Sequence, residues 1–202
     1  MMRAARILAV GLLAVLIAAC GSAPVPDTAY YQMPATVPGT VHTEPPIAVP
    51  VVVDVFLSDG MHGEQGVLYR AKPGGAVKSY HYQLWNDAPA RLLQRRIIER
   101  LRAENVAVMV SDRLPDSLSS LRISGVIDQF EREQFEPDRW RARVRVEMRV
   151  DIAENELPVL LKVYGADIEA EGATMQATVR AFAKATDQML AEFTQDLIAL
   201  QL

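Results

Sequence analysis

The sequence predicts an α/β sandwich of the α+β class: a mixed, largely antiparallel sheet with two helices on one face. Three observations support this fold class. Runs of β-branched and alternating residues recur from residue 51 onward, one helical segment interrupts them before residue 105, and a long helical pattern closes the chain. Runs of strands with few helices are typical of a sheet that buries one face beneath its helices.

Three strands are predicted before the first helix. The run 51–57 is β-branched, and the run 66–70 is a second short strand that ends at a Lys-Pro-Gly-Gly turn. The run 77–85 is the third strand, in which Tyr80, Tyr82 and Leu84 are predicted on one face and His81, Gln83 and Trp85 on the other.

The first helix is predicted to end near Glu104. Asn86 or Asp87 can cap its start, and Pro89 suits the first turn, where a missing N–H costs nothing. Its apolar stripe contains Leu93, Ile97, Ile98 and Leu101. The connection from the third strand through this helix can join parallel strands.

Five arginines occupy the other faces of this helix: Arg91, Arg95, Arg96, Arg100 and Arg102. Such a set could bind phospholipid head groups or an acidic partner. The pattern favours instead a solvated amphipathic helix whose arginine stems cover apolar surface.

Four further strands are predicted at 106–110, 121–130, 140–151 and 157–168, with a bulge at Gly125. The strand 140–151 alternates most clearly, with apolar residues at even positions and charged residues at odd ones. Its arginine row is a candidate contact surface, but the pattern favours a solvated strand face with cross-strand pairs. Short loops between these strands predict antiparallel pairing.

The last helix is predicted from Ala173 to the end of the chain, because apolar residues recur every three or four positions. Its polar positions include Asp187, Glu192 and Asp196, and few are basic. A membrane-surface helix needs a basic polar face, so the stripe indicates packing on the sheet.

The N-terminus has the layout of a bacterial lipoprotein signal peptide. Two arginines precede an uncharged run at 7–17, which is too short to span a bilayer, and small residues then lead to Cys20, the single cysteine. We expect signal peptidase II to cleave between Ala19 and Cys20, so that residues 1–19 are removed. Cys20 is the predicted lipidation site and would carry a diacylglycerol and an N-acyl chain such as palmitate.

Residues 20–49 are predicted to form a tether, and residues 50–202 the folded domain. Seven of the twelve prolines lie between Ala23 and Pro50, which favours a semi-extended spacer. The short aromatic run 29–33 is the exception, because it could add an edge strand to the sheet.

Composition excludes several classes of function. Without the signal peptide the chain has 19 basic and 25 acidic residues, a net charge near −6, which does not suit nucleic acid. His42, His62 and His81 are scattered without metal-ligand spacing, and the nucleophile-elbow, P-loop and dinucleotide motifs are absent. We expect a protein that is not an enzyme, with no metal and no cofactor besides the acyl chains.

A series of motifs resembles one known family. After the lipidation signal come Tyr30-Tyr31-x-Met33, a strand that ends Val67-Leu68-Tyr69-Arg70, and Tyr80-x-x-x-x-Trp85-x-x-x-Pro89 before an arginine-rich helix. Gly125-x-Ile127-x-x-Phe130-Glu131 and an alanine-rich helix follow. Their order is similar to that of the ABC-type transport auxiliary lipoproteins of the PqiC/YmbA type. The long proline-rich stretch 34–50 departs from the family pattern.

The resemblance implies a fold similar to the N-terminal domain of TolB and a non-catalytic lipoprotein of the outer membrane that faces the periplasm. It implies an MCE-domain partner in an ABC transport system that moves phospholipid or other apolar molecules between the two membranes. A homo-oligomer is compatible with the sequence, and Gly21 after the cysteine favours the outer membrane, because an Asp there retains enteric lipoproteins in the inner one.

Two alternatives to the adaptor stay open at this point. One is a lipid carrier that binds an acyl chain between helices and sheet, and the other is a structural or assembly lipoprotein of the cell envelope. Four aromatic residues are candidates for partner binding, because exposed aromatics anchor interfaces: Tyr69, Tyr80, Tyr82 and Trp85. Tyr80 and Tyr82 could equally belong to the core.

Overall fold

The structure is a computed structural model. It describes residues 26–58, 60–115, 119–152, 155 and 157–201. Residues 1–19, the predicted signal peptide, and Cys20 therefore lie outside the described residues.

The described chain forms nine strands and two helices. The strands are β1 (Ala29–Tyr31), β2 (Val51–Val53), β3 (Leu57–Ser58), β4 (Gly66–Arg70), β5 (Lys78–Trp85), β6 (Val110–Ser111), β7 (Leu121–Glu136), β8 (Arg139–Ile152) and β9 (Leu160–Glu169). The helices are α1 (Pro89–Ala103) and α2 (Met175–Ala199), and a 3₁₀ turn spans Gly60–Gly63.

The long strand β7 organises the sheet. Along one edge it pairs in parallel with β2, β3 and β4 in succession, and along the other it pairs antiparallel with β8, which in turn pairs with β9. β5 pairs antiparallel with β4, β1 lies parallel beside β5, and β6 lies parallel beside β2. The sheet is therefore mixed, and its longest ladders are antiparallel.

One apolar core joins the sheet to both helices. On β8 the even-numbered side chains from Ala142 to Val150 are buried, and they share a cluster with Leu93 and Ile97 of α1 and Phe182 of α2. α2 begins at a regular cap, because the Thr174 hydroxyl accepts a hydrogen bond from the Ala177 N–H at 3.2 Å. The predicted fold class, a mixed sheet with two helices on one face, is confirmed.

Some strand boundaries differ from those predicted. β7 continues to Glu136, six residues beyond the predicted end, because β8 pairs with it throughout. The run 106–110 is mostly irregular, and only Val110 joins a strand. Gly125 is not a bulge: it pairs regularly with Met148, and the register shifts instead beyond Ile127.

The proline-rich segment packs on the domain, where the sequence predicted a tether over 20–49 and a domain boundary at 50. β1 is an edge strand on β5, as expected for the run 29–33. Beyond it, the side chains of Met33 and Ile47 are only 8% and 1% exposed. Prolines disfavour regular structure, but they do not prevent single apolar side chains from entering a core.

Arginines of α1 hold this segment in place. The Arg96 guanidinium donates to both carboxylate oxygens of Asp187 on α2, at 2.9 and 2.8 Å, and to the Pro34 carbonyl at 2.7 Å. The Thr36 hydroxyl donates to the same carboxylate at 2.8 Å. One ion pair thus joins both helices and the proline-rich segment. We call residues 34–42 the strap.

A second set of contacts fixes the end of the strap. Arg100 pairs with Glu104 at 2.8 Å and donates to the Asp187 carbonyl at 3.1 Å. Glu104 accepts from the Gly39 N–H at 2.6 Å, and its carbonyl accepts from the His42 N–H at 2.9 Å. Arg96 and Arg100 are both 4% exposed, so α1 does not have the fully solvated arginine face that the sequence pattern favoured.

We predict that Asp187→Asn destabilises the domain by about 3 kcal/mol. The substitution keeps the size of the side chain but leaves the buried Arg96 charge without its counter-ion, and removing one partner of a buried pair costs about 3–5 kcal/mol. Urea denaturation followed by circular dichroism measures the change, and limited proteolysis should show faster cleavage within the strap.

Asp54→Asn is the matched control. Asp54 pairs with Arg122 at 2.6 Å, but both side chains are substantially exposed, at 31% and 50%. Exposed pairs contribute at most about 1 kcal/mol, so this variant should stay close to the wild type. Equal effects of the two substitutions would mean that the Arg96–Asp187 pair does not hold the strap.

We further predict that Gly125→Ala destabilises the domain by about 1–3 kcal/mol, the usual cost of overpacking. An added Cβ would overlap the Glu147 carbonyl oxygen and the Phe56 ring, both of which are fixed in the sheet or core. Gly63→Ala is the control, because its Cβ would meet only the Ser58 hydroxyl at 3.6 Å. Thermal denaturation that left Gly125→Ala as stable as Gly63→Ala would contradict this packing.

Candidate docking surfaces

The direction of β1 shows from which side the chain enters the sheet. β1 runs parallel to β5, with Ala29 opposite Gln83 and Tyr31 opposite Trp85. The chain therefore reaches β1 from the side on which β5 begins at Lys78. β4, β7 and β9 finish on this side, and we call it the entry end. Ala19 and Cys20 precede the described residues, so cleavage and lipidation there stay predictions.

Trp85 is a core residue and cannot contribute to a docking surface. Its side chain is fully buried, and its ring centroid lies 5.5 Å from that of Phe130 and 5.1 Å from that of Phe182. The sequence predicted that it shares a face with His81 and Gln83. The β4–β5 register shifts between Gly66 and Leu68, which breaks the alternation and turns Trp85 inward.

The three candidate tyrosines have different environments. Tyr69 and Tyr80 are half-buried, and their rings are in tilted contact with centroids 4.3 Å apart. Tyr80 also packs against the core. Tyr82 is 38% exposed and makes an edge contact with the His81 ring. The structure therefore brings Tyr69 and Tyr80 together and leaves Tyr82 apart from them on the surface.

Arg132 completes the cluster around Tyr69 and Tyr80, and sequence reasoning missed it. Its guanidinium carbon lies 3.6 Å from the centroid of the Trp140 ring and 6.0 Å from that of Tyr80. One guanidinium nitrogen donates to the Ala173 carbonyl at 3.1 Å, just before α2. Such contacts between a cation and aromatic faces are favourable, particularly away from water. We call Arg132, Tyr69, Tyr80 and Trp140 the arginine–aromatic cluster.

Arg132 is unusual because its charge is buried without a carboxylate partner. The residue is 3% exposed, its Nε has no hydrogen-bond acceptor, and it forms no ion pair with any acid in the described part of the chain. Burial lowers the pKa of the Arg132 guanidinium, and burial also raises the pKa of the Tyr80 phenol, an effect that Arg132 partly offsets. Buried charges are normally paired, so this site lacks a counter-ion.

Lys78 adjoins this cluster through the sheet register. Lys78 of β5 lies opposite Tyr69 of β4, and Tyr69 lies opposite Arg132 of β7. Paired residues of neighbouring strands share a face of the sheet, so the three side chains form one transverse row at the entry end. Lys78 is exposed, and no acid among the described residues pairs with it.

The helix-free face of the sheet carries the arginine row of β8, and most of these arginines are paired within the domain. Arg141 pairs with Glu133 of β7, and Arg143 bridges Glu133 and Asp167 of β9, at 3.3 and 3.2 Å. This agrees with the expected strand face with cross-strand pairs.

Exposed apolar side chains lie beside these charges. Leu57 of β3 is opposite Val126 of β7, Val126 is opposite Glu147 of β8, and Glu147 is opposite Val163 of β9. Leu57 is 69% exposed, Val163 is 46% exposed and Leu161, two residues earlier, is 55% exposed. We call Leu57, Val126, Leu161 and Val163 the apolar row. Clustered exposed apolar groups are typical of interaction surfaces.

Aromatic rings pack between α2 and the sheet. The rings of Phe130 and Phe182 stack with centroids 4.7 Å apart next to Trp85. A cavity of about 410 Å³ lies elsewhere, between the strap and the C-terminal ends of the two helices. Arg100 and Thr194 line it, and the Arg100 Nε and Thr194 hydroxyl are buried without a hydrogen-bond partner in the described chain.

Within the described ranges, no group of three or more His, Cys, Asp or Glu side chains is arranged to hold a metal ion. No helix in those ranges is both long enough and apolar enough to cross a bilayer.

Sequence signals for the cluster were weak but present. In β7 the core-facing positions are odd-numbered from Leu121 to Ile127. The register shifts after Ile127, so the core-facing positions become even-numbered, and Arg132 lies on the core face with Phe130. A basic residue at a core-facing position is rare, and it could have been noticed had the shift been known.

One family model and several solved structures are similar to this chain. A family model described as the ABC-type transport auxiliary lipoprotein component matches residues 31–193. A search of curated proteins finds no match. Among solved structures, a Xanthomonas campestris protein of the DUF330 family has a TM-score of 0.72 at 14% identity, covering 85% of this chain and 96% of that one. Another, titled only as an uncharacterized protein, has a TM-score of 0.66 at 13% identity, covering 85% and 99%.

These structural likenesses are too low in identity to show more than the fold, but the family model spans most of the chain, including the strap, α1 and most of α2. It begins at Tyr31, well before the boundary that composition predicted, as the packing of the strap requires. The chain belongs to the family of ABC-type transport auxiliary lipoprotein components.

Proposed function

We propose that this protein is a non-catalytic adaptor, anchored in the outer membrane through acyl chains on Cys20 and facing the periplasm. It serves an ABC transport system whose periplasmic component is an MCE-domain protein. The cargo is phospholipid or another apolar molecule that moves between the two membranes. The observation that carries the proposal is the family match over residues 31–193, because it names an auxiliary component of ABC-type transport.

The lipidation signal supports the proposed location. A protein with acyl chains on Cys20 is held at a membrane surface, since more than one chain gives stable anchoring. Gly21, in place of an inner-membrane retention Asp, favours the outer membrane. The function of the domain then depends on where this anchor holds it.

The helix-free face supports the adaptor role. The apolar row shares its face with the ion pairs of β7, β8 and β9, and it does not belong to the core. A partner that covers Leu57, Leu161 and Val163 would bury apolar surface and find paired charges at its rim, as protein interfaces do. We propose that the MCE-domain protein docks on this face, with Tyr82 as a further exposed aromatic candidate.

Packing argues against the carrier alternative. A carrier needs an apolar cavity between helices and sheet, whereas the rings of Trp85, Phe130 and Phe182 pack directly against one another in that layer. The cavity beside the strap is lined by Arg100 and Glu104, so an acyl chain there would lie against a buried ion pair.

Cys20→Ala should give a folded domain that is mislocalised and inactive. The thiol is the acylation site, so its loss removes the anchor without touching the packed residues that begin at β1. Membrane fractionation measures the location, and a lipid-transport assay at native expression measures the activity. Normal transport by this variant would contradict the proposal.

Val163→Asp should abolish recovery of the MCE-domain protein from detergent-solubilised membranes. The new carboxylate would be desolvated in the docked complex, where its burial without a partner is costly. The measurement is affinity purification of the processed lipoprotein, followed by identification of the proteins that accompany it.

Val108→Asp provides the matched control, because Val108 is 54% exposed in a loop outside the apolar row and carries the same change in charge. It should retain the partner. If the wild type recovers secretion or cell-wall components instead of an MCE-domain protein, the adaptor proposal is wrong. If both Asp variants retain the MCE partner, the proposed docking face is wrong.

A further inference from the structure

We infer that the entry end of the sheet is a membrane-docking surface that binds the phosphate head groups of anionic phospholipid. Lys78 and the arginine–aromatic cluster of Arg132, Tyr69, Tyr80 and Trp140 carry this site. The inference rests on the proposed anchoring at Cys20, and it adds which side of the domain faces the lipid.

Chain direction places this end towards the anchor. β1 enters the sheet from the side on which β5 begins, and Lys78 lies five residues before Gln83, the partner of Ala29. At about 3.3 Å per residue this separation is about 17 Å. The nine residues from Cys20 to Ala29 can span at most about 32 Å, so the anchor can reach beyond Lys78 in the same direction.

Charge at this end is incompletely compensated. Glu136 and Glu169 pair with Arg139 at 2.6 and 2.8 Å, whereas Arg132 and Lys78 have no acidic partner in the described chain. Lys72, after β4, likewise lacks one there. Asp138, in the turn between β7 and β8, is an acidic residue of this end for which the described residues supply no basic partner. The uncompensated charge of greatest consequence is Arg132, because it is buried.

The start of α2 adds positive potential at the same place. Arg132 donates to the Ala173 carbonyl, two residues before α2, and the first turn of α2 contains no acidic residue. A helix N-terminus carries a partial positive charge, which favours a nearby phosphate. The buried guanidinium with its unpaired Nε is the independent sign that an anion belongs there.

The aromatic rings suit the head-group region of a bilayer. Trp140, Tyr69 and Tyr80 are each half-buried, with the Arg132 guanidinium stacked on Trp140 at 3.6 Å. Trp and Tyr are enriched at membrane interfaces, because one end of each side chain is apolar and the other is polar. The cluster thus combines a cation with the side chains that favour this depth.

Vesicle co-sedimentation tests the inference with the mature chain from residue 20 carrying Cys20→Ser, so that acyl chains do not contribute. The net charge of the mature chain is near −6, so attraction to an anionic surface requires a local basic site. We expect binding to vesicles of phosphatidylcholine with phosphatidylglycerol at low salt, and little binding to phosphatidylcholine alone. Equal binding to both vesicles, or to neither, would overturn the inference.

Lys78→Glu should weaken binding to the phosphatidylglycerol vesicles at least about fivefold, the effect of about one basic charge near an anionic surface. Arg91→Glu is the matched control: Arg91 is exposed at the start of α1, which follows the far end of β5, and it should bind as the wild type does. Equal binding by the two variants would refute the assigned surface. Lys78 is exposed, so its substitution should leave the fold intact.

Trp140 gives a second readout in the lipidated protein. The chain has two tryptophans, and Trp85 is fully buried in the core. Lipids with a spin label on the head group should quench wild-type fluorescence in reconstituted bilayers, and Trp140→Phe should lose most of this quenching. Quenching that survives Trp140→Phe unchanged would contradict the orientation.

The outcomes separate this inference from the proposed function. If Val163→Asp loses the MCE partner but still binds vesicles, the membrane-docking surface is supported independently of the partner. If the MCE partner is recovered but Lys78→Glu does not change vesicle binding, the adaptor proposal is supported and the membrane-docking surface is wrong.

Discussion

The ion pair between Arg96 and Asp187 is the contact on which the arrangement of this domain depends. It links α1 to α2, and through the Pro34 carbonyl and the Thr36 hydroxyl it also holds the strap, with donor–acceptor distances of 2.7 to 2.9 Å. A buried pair is not a large net source of stability, but it permits few alternative geometries. The strap therefore has one position on the two helices instead of forming a loose leader.

This constraint changes what the N-terminal segment does. A tether over 20–49 would let the domain range far from its anchor, whereas a chain that is packed from β1 onward leaves only a short connection to Cys20. A short connection that enters from the entry end favours one orientation. In the proposed arrangement the arginine–aromatic cluster faces lipid, and the apolar row on the helix-free face stays available to a protein partner. Anchor and adaptor thus use different surfaces of one sheet.

Local pattern predicted much of the fold but not the site. The alternation of 140–151 and the helical period after Ala173 depend on neighbouring residues, and both elements occur where expected. Arg96 meets Asp187 across 91 positions, and no local pattern encodes such a contact. Trp85 turned inward because of a register shift, and Arg132 was missed for a similar reason, since a shift of one residue exchanges the faces of a strand.

Neutron reflectometry of the lipidated protein on a supported outer-membrane-like bilayer tests the central claim most directly. The claim is that the packed domain begins at β1, so its distance from the lipid is limited by nine residues. The account predicts a dense protein layer that starts within about 30 Å of the head groups and has a narrow height distribution. A hydrated gap well beyond that distance, or a broad distribution of heights, would contradict it.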